Sequence, residues 1–244
     1  MFFDPSLSKR KSRSCASCHK PSLAFTDGLA KNKNLSDDGL ILRNTPTLLN
    51  AAFQNSQFYD MRSENLEGQS IDVIRHKDEM HGSVDDLIEY LRNDSTYQDL
   101  FDKAFPGSRG NIKAMHIQNA IAAYVRSLKS LDSKFDRHMK TDSSILSTDE
   151  IAGFNLFMGK AKCATCHFIP LFNGTIPPSF SKTESEVLGV PASKAKGAKV
   201  DPDEGRYTIH KMEPLRYAFK TPRCEMLRLQ HHICTMVFIS RWKK

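Results

Sequence analysis

The chain has 244 residues, enough for one large domain or two of roughly 100–150 residues, with 39% hydrophobic residues and a mean hydropathy of −0.46. No run of about 18 apolar residues occurs, so the sequence offers no membrane-spanning helix. The formal net charge of +7 overstates the basic character, because residues 223–244 set five basic groups against one Glu, and without a basic face interleaved with aromatics a nucleic-acid binder finds no support.

Residues 2–10 are predicted to form a short helix leading to Cys15-Ala16-Ser17-Cys18-His19. C-x-x-C-H is the attachment pattern of a c-type haem: the two thiols add across the porphyrin vinyl groups and the His is held beneath the iron. The pattern recurs as Cys163-Ala164-Thr165-Cys166-His167. Zinc ribbons set their C-x-x-C pairs only roughly 15–20 residues apart, which argues against one shared metal. Two haem sites, and hence two domains, are expected. The remaining cysteines, Cys224 and Cys234, suggest no disulfide framework.

Residues 20–50 are rich in Gly, Asn, Asp and Pro and read as mostly loop, expected to cover the first haem or the seam between domains. Ser83 is a predicted N-cap for a helix through residues 86–91, and a second short helix spans 97–105 and stops at Pro106-Gly107. Residues 112–128 give the clearest helix. Ile117, Ala120, Ile121, Tyr124, Val125 and Leu128 form one apolar stripe, assigned to core. A polar linker is expected around 140–144. Ser147-Thr148-Asp149-Glu150 is a capping box that starts a helix running through Phe154 and Phe157 toward the second haem motif. No useful alternating pattern appears, so the fold class is all-α, with domains over residues 1–142 and 143–222.

The order CASCH, AFTDG, RNTPTLLNA, QF-aromatic-D-x-R, Q and EM resembles the bacterial dihaem cytochrome c peroxidase family with its MauG-like relatives. GKAKCATCHFIPLFNG, DEGRY and AFKTP extend the resemblance to residue 222. It implies a peroxidatic haem on Cys15, Cys18 and His19, and an electron-transfer haem on Cys163, Cys166 and His167. Glu79 stands at the family's distal acid–base carboxylate and Gln69 at its pocket glutamine. Tyr59 takes the place of an aromatic, usually Trp, between the haems, and Asn44 that of an inter-domain calcium ligand. Cleaving hydrogen peroxide requires a proton to pass from one oxygen to the other so that water leaves, and a carboxylate can do both steps. Flanking Glu79, His76 and His81 read as surface residues.

Three departures stand out. Many members carry a distal His after the first motif, whereas residues 20–50 contain none. The inter-haem aromatic is Tyr59, and the family continuation after AFKTP is absent. The expected activity is peroxide reduction with electrons from a small cytochrome c or cupredoxin-type donor. The alternatives are a MauG-like oxidase acting on a partner protein and a non-enzymatic dihaem carrier. The resemblance implies export to the periplasm, yet residues 1–20 lack a signal peptide's apolar core, so the start is expected upstream. It also allows a homodimer. Residues 223–244 read as the product of a shifted frame. One base earlier, the codons of His231 to Val237 permit the family-like run Pro, Tyr, Met, His, Asn, Gly, which would leave the C-terminal domain incomplete, without its haem's sixth ligand.

Overall fold

A computed structural model describes residues 1–140, 145–193 and 195–224. It is mostly helical with little sheet and divides into two compact units. The first comprises Met1–Ala52 with Asn65–Leu128, and the second Phe53–Glu64 with the described residues from Lys129 onward. The expected linker at 141–144 and the tail residues 225–244 lie outside the described residues. Residues 53–64 and 129–140, expected in the first domain from the sequence, group with the second unit in this division.

The first unit opens with a 3₁₀ turn at Pro5–Leu7, not the predicted helix over 2–10. Pro5 has no N–H to donate and Asp4 accepts from Ser6 N–H, so a turn starts at residue 5 and no helix runs through from residue 2. Helix α1 (Cys15–Cys18) carries the first motif. Four longer helices follow: α2 (Leu66–Arg75), α3 (Val84–Asn93), α4 (Ser95–Ala104) and α5 (Ala114–Ser127). Each of the first three starts at a side-chain oxygen that accepts an otherwise orphaned N–H: Asn65 from Gly68, Ser83 from Asp86, and Asp94 from Tyr97. Ser83 is the N-cap that the sequence predicts.

Val84, Leu87 and Leu91 recur on one face of α3, and Ile117, Ile121 and Val125 on one face of α5. They pack with Leu7, Ile74 and Ile112 into a single core. Arg126 of α5 forks onto the Glu67 carboxylate of α2, with Nη2 to Oε2 at 2.8 Å, and fixes the pairing of the two helices.

In the second unit, α6 (Lys134–Lys140) and α7 (Thr148–Met158) precede the second motif. The capping box is present: Glu150 N–H donates to Ser147 Oγ and Ser147 N–H to Glu150 Oε2. Phe135 packs on Phe154 and Phe172, which explains why α6 joins this unit. The remainder is loop, the one-turn helix α8 (Tyr207–His210), and one small correction to the all-α expectation. Strands β1 (Ser185–Val187) and β2 (Ala218–Lys220) form an antiparallel pair three residues long.

Segment 53–64 is tied to β2 in two ways. Lys220 N–H donates to the Tyr59 carbonyl at 2.7 Å. The buried Lys220 Nζ donates to Gln54 Oε1 at 2.6 Å and to the Ser56 carbonyl at 2.9 Å. Burial pulls Lys220 down to about 7, against the opposing attraction of Asp60. That value lies below the ordinary 10.5, so between the two the unfolded chain binds more protons than the folded one. Stability contributed at this site therefore rises with pH from about 7 to about 10. Urea midpoints should show the protein gaining on its Lys220→Met variant across that window; a constant difference would contradict the assignment.

Candidate functional site

Both C-x-x-C-H motifs end in the same local device. In the first, Lys20 N–H pairs with the Thr26 carbonyl while Ala24 and Phe25 take left-handed backbone angles, φ 53° and 60°. This tight turn aims the Phe25 carbonyl at His19, whose Nδ1–H donates to it at 2.9 Å. In the second, Phe168 N–H pairs with the Asn173 carbonyl and Phe172 is left-handed, φ 48°. Its carbonyl lies 3.2 Å from His167 Nδ1. Spending Nδ1–H on a carbonyl leaves Nε2 with a free lone pair in the correct tautomer for an axial ligand. Burial also lowers both imidazoles' pKa values and so favours the neutral, ligating state.

Loop 20–50 thus braces His19 as well as forming a wall. The buried Asp27 carboxylate holds it together by accepting from Leu29 N–H, Asn32 Nδ2 and Thr45 Oγ1. Within the first unit a mostly apolar cleft of about 70 Å³ opens at the motif. Cys15, Cys18 and His19 line it, with Leu48, Leu66, Ile74 and Ile121 among its apolar walls. Burial pushes the Cys15 thiol up to about 11 and raises that of Cys18, so both stay protonated as free groups.

Gln69 and Glu79 open on the same cleft, as the sequence order suggests. Gln69 sits on α2. Glu79 sits on the turn that ends it, where the N–H groups of Glu79, Met80 and His81 all converge on the His76 carbonyl. The turn is clamped to the N-terminal segment: Lys9 N–H donates to the Met80 carbonyl, and a Cβ on Gly82 would come within 2.6 Å of the Leu7 carbonyl. Sequence reasoning did not mark Arg13, Ile41 and Met80 as lining residues. It assigned Ile121 and Val125 to core alone, although they also wall the cleft.

Tyr59 is not part of this lining. It lies in the second unit between two left-handed residues, Phe58 and Met61, in a segment braced by the Asp60–Arg62 ion pair. Asn44 Nδ2 donates to the Leu29 carbonyl, while its Oδ1 is buried without a hydrogen-bond partner among the described residues, as an oxygen ligand for a cation would be. In the second unit, Cys163 and Cys166 lie in and just after a 3₁₀ turn (Cys163–Thr165), and Cys224 Sγ sits 3.0 Å from His167 Nδ1. Arg223 and Cys224, the described part of the segment read as frame-shifted, are packed; Arg223 is buried and Cys224 N–H donates to the Phe172 carbonyl.

Two C-x-x-C-H motifs with neutral, carbonyl-braced imidazoles, the first opening on an apolar cleft, fit haem and define a mostly helical haem-binding class. The chain belongs to the di-haem cytochrome c peroxidase family, whose profile matches residues 1–144. It is 37% identical over 94% of its length to the methylamine utilization protein MauG of Methylorubrum extorquens. It is 32% identical over 95% of its length to the cytochrome c551 peroxidase of Nitrosomonas europaea. The chain spans 61% and 65% of those relatives' lengths. Among solved structures, a MauG-like protein associated with microbial copper homeostasis matches with a TM-score of 0.81 at 26% identity, over 94% of this chain and 68% of that one.

Proposed function

We propose that the chain reduces hydrogen peroxide to water as a dihaem peroxidase, taking electrons from a small cytochrome c or cupredoxin-type donor. The observation that carries this reading is the convergence of Glu79 and Gln69 on the cleft lined by Cys15, Cys18 and His19. Covalently attached haem, on those two thiols and His19 Nε2, supplies the redox chemistry, and the protein supplies placement and protons. Glu79 takes the proton from one peroxide oxygen and returns it to the other, a contribution of about 10²–10⁴-fold. Gln69 offers an amide donor and acceptor to orient the peroxide. The apolar walls limit other proton sources. Cys163, Cys166 and His167 hold the electron-transfer haem, with Tyr59 assigned to electron passage.

The remaining assignments are a calcium ion at Asn44, supported by its buried Oδ1, and a periplasmic location, as covalent haem attachment requires. Among the described residues no helix is long and apolar enough to cross a membrane. The 37% identity to a MauG protein keeps a second reading in view, oxidation of a partner protein. Peroxide consumption that depends on added reduced donor supports the first reading; consumption that depends instead on a partner protein, which becomes oxidised, supports the second.

His19 is the one histidine among the described lining residues. The ferric protein should therefore show a high-spin signal as isolated and react with peroxide without prior reduction. An entirely low-spin spectrum would contradict this and point to Met80, the lining thioether, as a ligand.

A further inference from the structure

Reduction of one peroxide to two waters consumes two electrons and two protons. Glu79 can move a proton between the two oxygens, but it cannot create one, so protons must reach its carboxylate from solvent. His76 Nδ1 lies 3.5 Å from Glu79 Oε1, with the imidazole side chain 43% exposed and the carboxylate 29% exposed. We infer that His76 is the proton-delivery residue for Glu79, linking the cleft to solvent. The inference rests on the peroxidase reading of the site.

The turn that holds Glu79 also fixes His76. Three N–H groups converge on the His76 carbonyl, so its backbone and side chain are placed together with the carboxylate they serve. The contact is a few tenths of an ångström longer than a hydrogen bond, and such contacts tighten when substrate is bound. In the transfer, the Nδ1–H bond of the imidazolium breaks and an O–H bond forms on Glu79; the ring is then recharged from solvent at its exposed edge. An imidazole is suited to this because its two ring nitrogens let it take a proton at one edge and release one at the other.

The arginines and lysines nearby do not duplicate the role. Arg75, Lys77, Asp78 and His81 share the turn. On the segment packed against it through Lys9, Arg10 is committed to the Leu35 carbonyl and Arg13 to those of Lys33 and Asn34. On the loop that meets the turn at Asp78, Lys33 is paired with Asp37, and Asp38 accepts from Asn34. Arginine and ammonium groups stay charged at neutral pH and relay protons poorly.

Two variants and one chemical probe decide the matter in the full chain carrying its haems. His76→Gln keeps polarity and the backbone turn but cannot titrate. It should lower kcat about tenfold or more with KM little changed, and added imidazole should restore turnover to His76→Ala. Independently of activity, diethyl pyrocarbonate modification of His76 at pH 7, read by mass spectrometry, should speed up about threefold in Glu79→Gln. Without the carboxylate against it, the Nδ1 edge of the ring is freer to meet the reagent. Unchanged modification, or unchanged kcat in His76→Gln, would overturn the relay while leaving the peroxidase reading intact. Absence of peroxide turnover in the unsubstituted protein would overturn both.

Discussion

Replacing Glu79 with Ala should leave both haems attached and lower peroxide turnover about 10²-fold or more, the scale of losing a general acid–base. The attachment residues lie on α1 and its following turn, whereas Glu79 sits on the turn after α2, so haem binding and proton transfer are separable. The backbone of that turn does not depend on the Glu79 side chain, because its N–H groups bond to the His76 carbonyl and Gly82 fits against Leu7 whatever residue stands at 79. The loss should fall on kcat and kcat/KM together, as for an interaction made only in the transition state. Glu79→Asp, which shortens the reach but keeps a carboxylate, should recover part of it. Near-native kcat/KM in the Ala variant, with saturating donor, would show that protons reach the peroxide by another route.

Much of this site is legible in the sequence because its parts are local or fixed by motif order. Ser83 announces α3 through its cap, Ser147 with Glu150 announces α7, and the 3.6-residue stripe of α5 is unambiguous. Glu79 and Gln69 reach the cleft because α2 and its terminal turn place them there. The parts that were not legible depend on backbone angles or on distant partners. Nothing in the residue type of Phe25 or Phe172 signals a left-handed φ, which non-glycine residues adopt sparingly. Yet those two carbonyls set the tautomers of both histidines. Segment 53–64 joins the second unit through Lys220, whose bonds to Gln54 and Ser56 span more than 160 residues of sequence. The helix expected over 2–10 is interrupted at Asp4-Pro5, where the Asp4 carboxylate caps Ser6 N–H and Pro5 has no N–H to donate, leaving only the turn Pro5–Leu7. The stripe of α5 was read as core, but Ile121 and Val125 serve as both core and cleft wall, a distinction that periodicity cannot draw.

Changing Cys15 and Cys18 together to Ser should remove one of the family's two haems and all peroxide turnover. Among the described residues those are the two thiols that line the first cleft, and a serine hydroxyl does not add to a vinyl group in their place. With the macrocycle gone, Leu48, Leu66, Ile74, Ile121 and Val125 lose their packing partner across the cleft. A wall without atoms opposite it forfeits dispersion contacts outright. The first unit should therefore melt at lower temperature even though its helices keep their caps. The matched change of Cys163 and Cys166 to Ser should also remove one haem, but it should leave the cleft, its high-spin spectrum and the packing of α2 against α5 in place. Mass spectrometry of the denatured chains counts attached haem directly, and thermal melts followed by helical circular dichroism report the first unit. Should the Cys15→Ser, Cys18→Ser chain still carry two covalent haems, or melt no earlier than the matched variant, the first cleft is not the haem site that its residues indicate.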